Sequence, residues 1–202
     1  MINIAVFCSG NGTNLQAIIN AVKTKKLKVN ISLVVCDKKN AFALKRARKA
    51  GIKSTLVERS SFSSKKTFEE VIMKHLKREK VDLIVLAGYM RILGSGLLSA
   101  YKNRIINVHP SLLPAFKGAH GIKDAFLYGV KVTGVTIHFV DEKVDHGPII
   151  MQESLPIYRD DTLATLEKRV HKVEHRLYYK AIALFASRRL KLRGRKVEIV
   201  KG

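Results

Sequence analysis

Apolar positions along this chain recur with two different periods, and the two alternate. Residues 2–8 form a near-continuous apolar run with strand character, and residues 14–23 follow with apolar side chains at helical spacing. The pair returns at 29–36 and 41–50, the second segment stopped by Gly51. A short strand at 54–57 leads through a Ser-rich loop at 60–64 into 66–78, where Phe68, Val71, Ile72 and Leu76 share one helical face. Residues 82–87 are apolar almost throughout, as expected of a parallel strand covered on both faces. After a short helix near 97–101 comes another buried strand at 104–108. The second half predicts a short helix at 123–128, then strands at 133–140 and 149–157 joined by a polar loop at 141–148. A long helix runs from Thr162 to about Ser187, with Asp160-Asp161-Thr162 as its capping region, and residues 191–200 form a small hairpin.

This order predicts an α/β fold: a single domain, 1–202, with a mainly parallel Rossmann-like sheet, helices on both faces and an appended antiparallel part in the C-terminal half. Residues 1–108 are the nucleotide-binding-like half; residues 109–202 carry a polar loop, the antiparallel strands, the long helix and a short tail. Ligands of such sheets collect at the carboxyl ends of the strands. Segments 10–14, 88–93 and 107–114 all begin there and are expected to converge.

Composition narrows the class. A chain of 202 residues with 47% hydrophobic side chains can bury one core, and no apolar stretch approaches the roughly 18 residues of a membrane span. The apolar N-terminus has no basic lead-in and runs straight into Ser9-Gly10-Asn11-Gly12, so it reads as a strand rather than a leader. Cys8 and Cys36 fall near strand ends and are expected to be buried, reduced thiols of a cytoplasmic protein. Net charge is the unusual feature: 38 Lys and Arg against 16 Asp and Glu give +22. Such a field attracts polyanions and small anionic ligands. No aromatics interleave with the basic clusters, so nucleic acid is expected to bind only non-specifically through charge.

Three segments carry candidate chemistry. Gly10-Asn11-Gly12-Thr13-Asn14 joins a strand to a helix, a geometry whose backbone amides bind anions. The third glycine of a dinucleotide fingerprint is replaced by Leu15, and the Gly-Lys-Thr/Ser ending of a triphosphate loop is missing, so a monophosphate is the expected ligand. Asp37, after the second strand, keeps a dinucleotide reading open. Asn107 and His109, two apart on a strand, share a face, and Pro110 bars His109 from the helical region. With Asp145 they form an amide donor, a proton carrier and a carboxylate, the parts of an acyl-transfer site. On the long helix, His171-Lys172-Val173-Glu174-His175 fits the H-x-x-E-H pattern of zinc peptidases, but no further carboxylate ligand is evident and no metal is expected. His171 and Glu174, three apart, also share a helical face.

Together these segments resemble the folate-dependent phosphoribosylglycinamide formyltransferases of purine biosynthesis. The matching residues are Cys8–Ile18 with its glycine loop, Leu86-Ala87-Gly88-Tyr89-Met90-Arg91-Ile92-Leu93, Ile106-Asn107-Val108-His109-Pro110-Ser111-Leu112-Leu113-Pro114, His138-Phe139-Val140, Asp145-His146-Gly147-Pro148-Ile149 and Glu174-His175. The resemblance implies formyl transfer from 10-formyltetrahydrofolate, as co-substrate, to the amine of glycinamide ribonucleotide. It implies catalytic roles for Asn107, His109 and Asp145, with Asp145 favouring a protonated His109. Gly12, Thr13, Asn14, His171 and Glu174 would bind phosphate and ribose. Lys65, Met90, Arg91, Ile92, Leu93, Asn107, Asp141, Glu142, Lys143, Val144 and Asp145 would line the folate site, Lys65 standing where the family tends to carry arginine. His138 and His146 read as ordinary strand and loop histidines. The expected assembly is a monomer or homodimer. A related tRNA formyltransferase or a formyltetrahydrofolate hydrolase is the nearest alternative, but both usually carry a further domain; a basic RNA-binding module would explain the charge and not the three motifs.

Overall fold

The computed structural model describes residues 1–201, which fall into two compact units, Met1–Ile106 and Asn107 onward. In the first unit β1 (Asn3–Cys8), α1 (Thr13–Lys23), β2 (Asn30–Cys36), α2 (Phe42–Lys49), β3 (Ser54–Leu56), α3 (Lys65–Arg78), β4 (Leu83–Leu86) and α4 (Ser95–Ala100) follow one another. The strand order is β3-β2-β1-β4, and every pairing is parallel. β1 lies between two neighbours, and Ile4 to Cys8 are wholly buried, which is why that stretch shows no polar alternation. Helical stripes cover it: Leu15, Ile18 and Ile19 on α1, and Phe68, Ile72 and Leu76 on α3, are all buried. The Ser-rich segment ends at Ser64, whose side chain accepts the Thr67 N–H at 3.1 Å and so starts α3. Both cysteines are free and buried.

β5 (Ile105–His109) runs through the boundary between the units. The second unit continues with α5 (Gly121–Tyr128), β6 (Val132–Phe139), β7 (Ile149–Pro156), α6 (Leu163–Ala186), β8 (Leu190–Arg193) and β9 (Lys196–Ile199). β6 and β7 pair antiparallel, as do β8 and β9, while β9 joins β7 in parallel at Ile149 and Lys196. The α/β class, the mainly parallel strands and the antiparallel C-terminal part match the sequence expectation, and element ends move by one or two residues. The largest consequence is at β5, which extends to His109, so the histidine is a strand residue rather than the first of a loop.

Seven of the eight β6 residues are buried, among them the polar Thr133, Thr136 and His138. Thr136 Oγ1 donates to the Ser111 carbonyl (2.7 Å) and accepts the Leu113 N–H (3.1 Å), and Gln152 Nε2 donates to the Leu113 carbonyl (2.9 Å). These bonds hold the proline-bounded loop after β5, in which the Leu113–Pro114 peptide is cis. Among the described residues, no helix is long and apolar enough to cross a membrane.

Candidate active site

In the first unit the glycine loop joins β1 to the start of α1 with its backbone closely held. Gly12 occupies the left-handed region (φ 72°) as the residue before α1, and a Cβ there would lie 2.8 Å from the Ala43 Cβ. Both constraints demand glycine. Among the described residues no side chain caps α1 and no acid lies in its first turn, so its N-terminal amides keep their affinity for an anion. α2 braces the loop from outside. Ala43 N–H donates to the Gly10 carbonyl (3.2 Å), and Arg46 clamps Asn11 through its carbonyl (2.8 Å) and its side-chain oxygen (2.9 Å).

The loop after β4 presents Met90 and Ile92 to solvent, 59% and 65% exposed, while Leu93 is buried. Two large apolar side chains left uncovered at a strand's carboxyl end suit a flat heteroaromatic ligand. Arg91 is committed elsewhere, its Nε donating to Asp37 Oδ2 at 2.6 Å. That contact takes Asp37 out of the ribose-binding role and leaves the Arg91 backbone, not its guanidinium, for a ligand. The far end of the loop is pinned by buried Glu69, whose Oε1 accepts the Gly94 N–H at 2.7 Å. Lys65 opens α3 and is exposed.

In the second unit Asn107, His109 and Asp145 come together, with His138 among them. His109 Nδ1 lies 3.3 Å from Asp145 Oδ2, and its Nε2 lies 2.8 Å from the Phe116 carbonyl. His138 Nδ1 donates to the Phe139 carbonyl (2.8 Å), a tautomer that leaves Nε2 to accept from the Asn107 amide at 3.2 Å. The same Nε2 is 3.7 Å from Asp145 Oδ1. His138 therefore stands between Asn107 and Asp145 and hydrogen-bonds the former, so it is not the ordinary strand histidine the sequence suggested.

Asp145 itself has a positive φ (47°), a conformation disfavoured for a non-glycine residue and typical of functional positions. It is held there by the Gly118 N–H, which donates to Oδ2 at 2.8 Å, and by Gly147, where any Cβ would strike the Phe139 carbonyl. Burial alone would raise the Asp145 pKa; the His138 imidazole, the Gly118 N–H and His109 outweigh it and hold the carboxyl below the ordinary aspartate value. For His109 the balance differs from the expected imidazolium. Burial pulls its pKa below the ordinary value, and the Asp145 charge and Phe116 carbonyl oppose that pull without cancelling it. The resting ring is a neutral base whose proton, once taken up, would find acceptors at both nitrogens.

The remaining loop residues are arranged around Asp141. Its Oδ1 accepts the Lys143 N–H (3.0 Å) and its Oδ2 meets His146 Nδ1 (2.7 Å), while Arg195 Nη2 donates to the His146 carbonyl (2.7 Å). Glu142, Lys143 and Val144 project into solvent.

On α6 the apolar stripe of Leu166, Val170, Leu177, Tyr178, Ala181 and Ile182 is interrupted by Glu174, 4% exposed. His171 Nδ1 lies 2.8 Å from its Oε2, and this hydrogen bond raises the His171 pKa above the ordinary value. The zinc-peptidase pattern is thus spent on an internal His–Glu pair. Among the described residues, no group of three or more His, Cys, Asp and Glu could hold a metal ion.

A histidine beside a carboxylate, with an amide two residues before it on β5, is the set of groups an acyl-transfer site would need, and comparison with known proteins shows the family: the chain belongs to the formyl transferase family, whose model matches residues 2–182. Among its relatives is the phosphoribosylglycinamide formyltransferase of Bacillus subtilis (strain 168), 48% identical over 178 residues that cover 88% of this chain and 91% of that protein. The Escherichia coli (strain K12) protein of the same name is 40% identical over 190 residues, covering 94% and 90%. The crystal structure of glycinamide ribonucleotide transformylase 1 from Symbiobacterium toebii superposes with a TM-score of 0.97 at 43% identity, covering 100% of this chain and 95% of that one.

Proposed function

We propose that this protein transfers the formyl group of 10-formyltetrahydrofolate to the amine of glycinamide ribonucleotide, in the purine pathway of the relatives named above. The observation that carries the chemistry is the Asn107–His138–Asp145–His109 cluster, in which an amide donor and a neutral imidazole stand beside an ionised carboxylate. The family match runs through both units and supports a single formyltransferase domain over the chain.

The uncapped start of α1, with the amides of Gly12, Thr13 and Asn14, takes the phosphate of the acceptor. His171, whose pKa the hydrogen bond to Glu174 raises, adds positive charge for the same substrate when protonated. The 88–93 loop covers the pterin with Met90, Ile92 and Leu93 and offers backbone partners at Arg91; the 141–145 loop, with Asp141, Glu142, Lys143 and Val144, contributes the rest of the donor site, and Lys65 meets its charged tail.

The acceptor amine attacks the formyl carbon, forming a new C–N bond and a tetrahedral oxyanion. Asn107 donates an amide N–H to that oxygen. His109 accepts the proton shed by the attacking nitrogen, and Asp145 stabilises the imidazolium so formed. Collapse breaks the bond from the formyl carbon to the folate nitrogen, which leaves with the proton that His109 gives up, so the imidazole returns to its neutral form. The donor of the reaction is a soluble co-substrate and the residues in these roles are all side chains or amides of this chain.

The test offers glycinamide ribonucleotide and methionyl-tRNA side by side with 10-formyltetrahydrofolate. Formylation of the ribonucleotide is expected. Product from the tRNA alone would overturn the reading.

A further inference from the structure

Ser9 has no role in the scheme above, yet both substrate loops of the first unit close on it. It is buried, at 3% exposure. Its N–H donates to the Gly88 carbonyl (3.0 Å), and its Oγ accepts the Met90 N–H (2.9 Å). The chain that leaves Ser9 becomes the glycine loop one residue later. One serine therefore stands in the phosphate loop and grips the pterin loop on both sides of Tyr89.

The surroundings make this grip stiff. Ala87 N–H donates to the Phe7 carbonyl (2.8 Å), and the Phe7 and Tyr89 rings meet edge to face with centroids 5.2 Å apart. Glu69 fixes the other end of the 88–94 segment, and Arg91 is tied to Asp37 at the end of β2. On the glycine side Ala43 and Arg46 hold Gly10 and Asn11. Between these fixed points, the direct side-chain link from one loop to the other is the Ser9 Oγ–Met90 N bond. A shift of either loop alters its length, so the position of one loop bears on the position of the other.

We infer that Ser9 is a positioning residue that couples the two substrate sites, so that phosphate in the glycine loop tightens the pterin loop and the reverse. This rests on the assignment of the two loops given above. Such coupling is reciprocal, and fivefold or more is the usual size of a coupling between linked sites.

The experiment measures the dissociation constant of tetrahydrofolate, which carries no formyl group to transfer, with and without saturating glycinamide ribonucleotide. In the wild-type enzyme the ribonucleotide should tighten tetrahydrofolate about fivefold or more. Ser9→Ala should weaken tetrahydrofolate alone by roughly three- to tenfold, the effect of losing one hydrogen bond, and bring the coupling ratio close to one. Ser9→Cys, which keeps the size but offers a poor acceptor, should behave like Ser9→Ala and takes its place if the alanine variant does not fold. Ser9→Thr, which restores the hydroxyl, should recover the coupling. A folded Ser9→Ala or Ser9→Cys enzyme with wild-type coupling would overturn the inference, as would a wild-type enzyme that makes formylated product yet shows no coupling. A wild-type enzyme that makes no product from glycinamide ribonucleotide would instead remove the functional reading on which it stands.

Discussion

The Asp145 carboxylate accepts the Gly118 N–H and faces the His109 and His138 rings, on a backbone conformation that few residues adopt. Replacing Asp145 by Asn keeps an oxygen for the Gly118 N–H while removing the charge that would stabilise the imidazolium once His109 takes up a proton. Asp145→Asn and His109→Ala should each lower kcat by about 10²–10⁴, with circular dichroism and melting close to wild type; near-normal kcat in a folded variant would remove the assignment. His171 gives a pH signature of the opposite kind. Its raised pKa means that it is charged below that value and loses charge as pH rises through it. The KM for the phosphorylated acceptor should therefore rise over that interval, and His171→Lys should flatten the dependence. At this scale the sequence was informative where spacing alone brings residues together: Asn107 with His109 on a strand, His171 with Glu174 on a helix. It was silent on His138 and on the pairing of Arg91 with Asp37, because those contacts join residues 31 and 54 positions apart.

At the scale of elements, the two periodicities located every helix and strand to within a residue or two, because buried parallel strands lose polar alternation while helices keep a stripe. α6 shows both the strength of the pattern and its blind spot. Its stripe is regular from Leu166 to Ile182, and the one acid within it, Glu174, is buried beside His171. Its start is set by a reciprocal cap: Thr162 Oγ1 accepts the Thr165 N–H (3.2 Å), and Thr165 Oγ1 accepts the Thr162 N–H (3.0 Å). Thr162→Ala should cost about 1 kcal/mol of stability, measured by urea unfolding, with kcat unchanged; no loss of stability would show that the cap contributes nothing. The end of β5 was harder to read, since Pro110 bars the helical region without saying whether His109 is the last strand residue or the first of a loop.

For the whole molecule, the charge of +22 and the fold answer different questions. Order of elements and burial follow from apolar periodicity, which excess Lys and Arg on exposed faces leave untouched; a net positive field of this kind attracts anions in general and is screened by salt. Within the second unit, the meeting of Asn107 and His109 with His138 and Asp145 is a matter of long-range placement that no local pattern encodes. The central claim is direct transfer of formyl from donor to acceptor amine, and one measurement tests it most closely. The enzyme, in excess, is mixed with 10-formyltetrahydrofolate labelled with ¹³C in the formyl group and with glycinamide ribonucleotide, and the label is followed through a single turnover. Label appearing wholly in the formylated ribonucleotide, in step with tetrahydrofolate release, is the predicted result. Label appearing as free formate, with the ribonucleotide unchanged, would contradict it and make the protein a hydrolase.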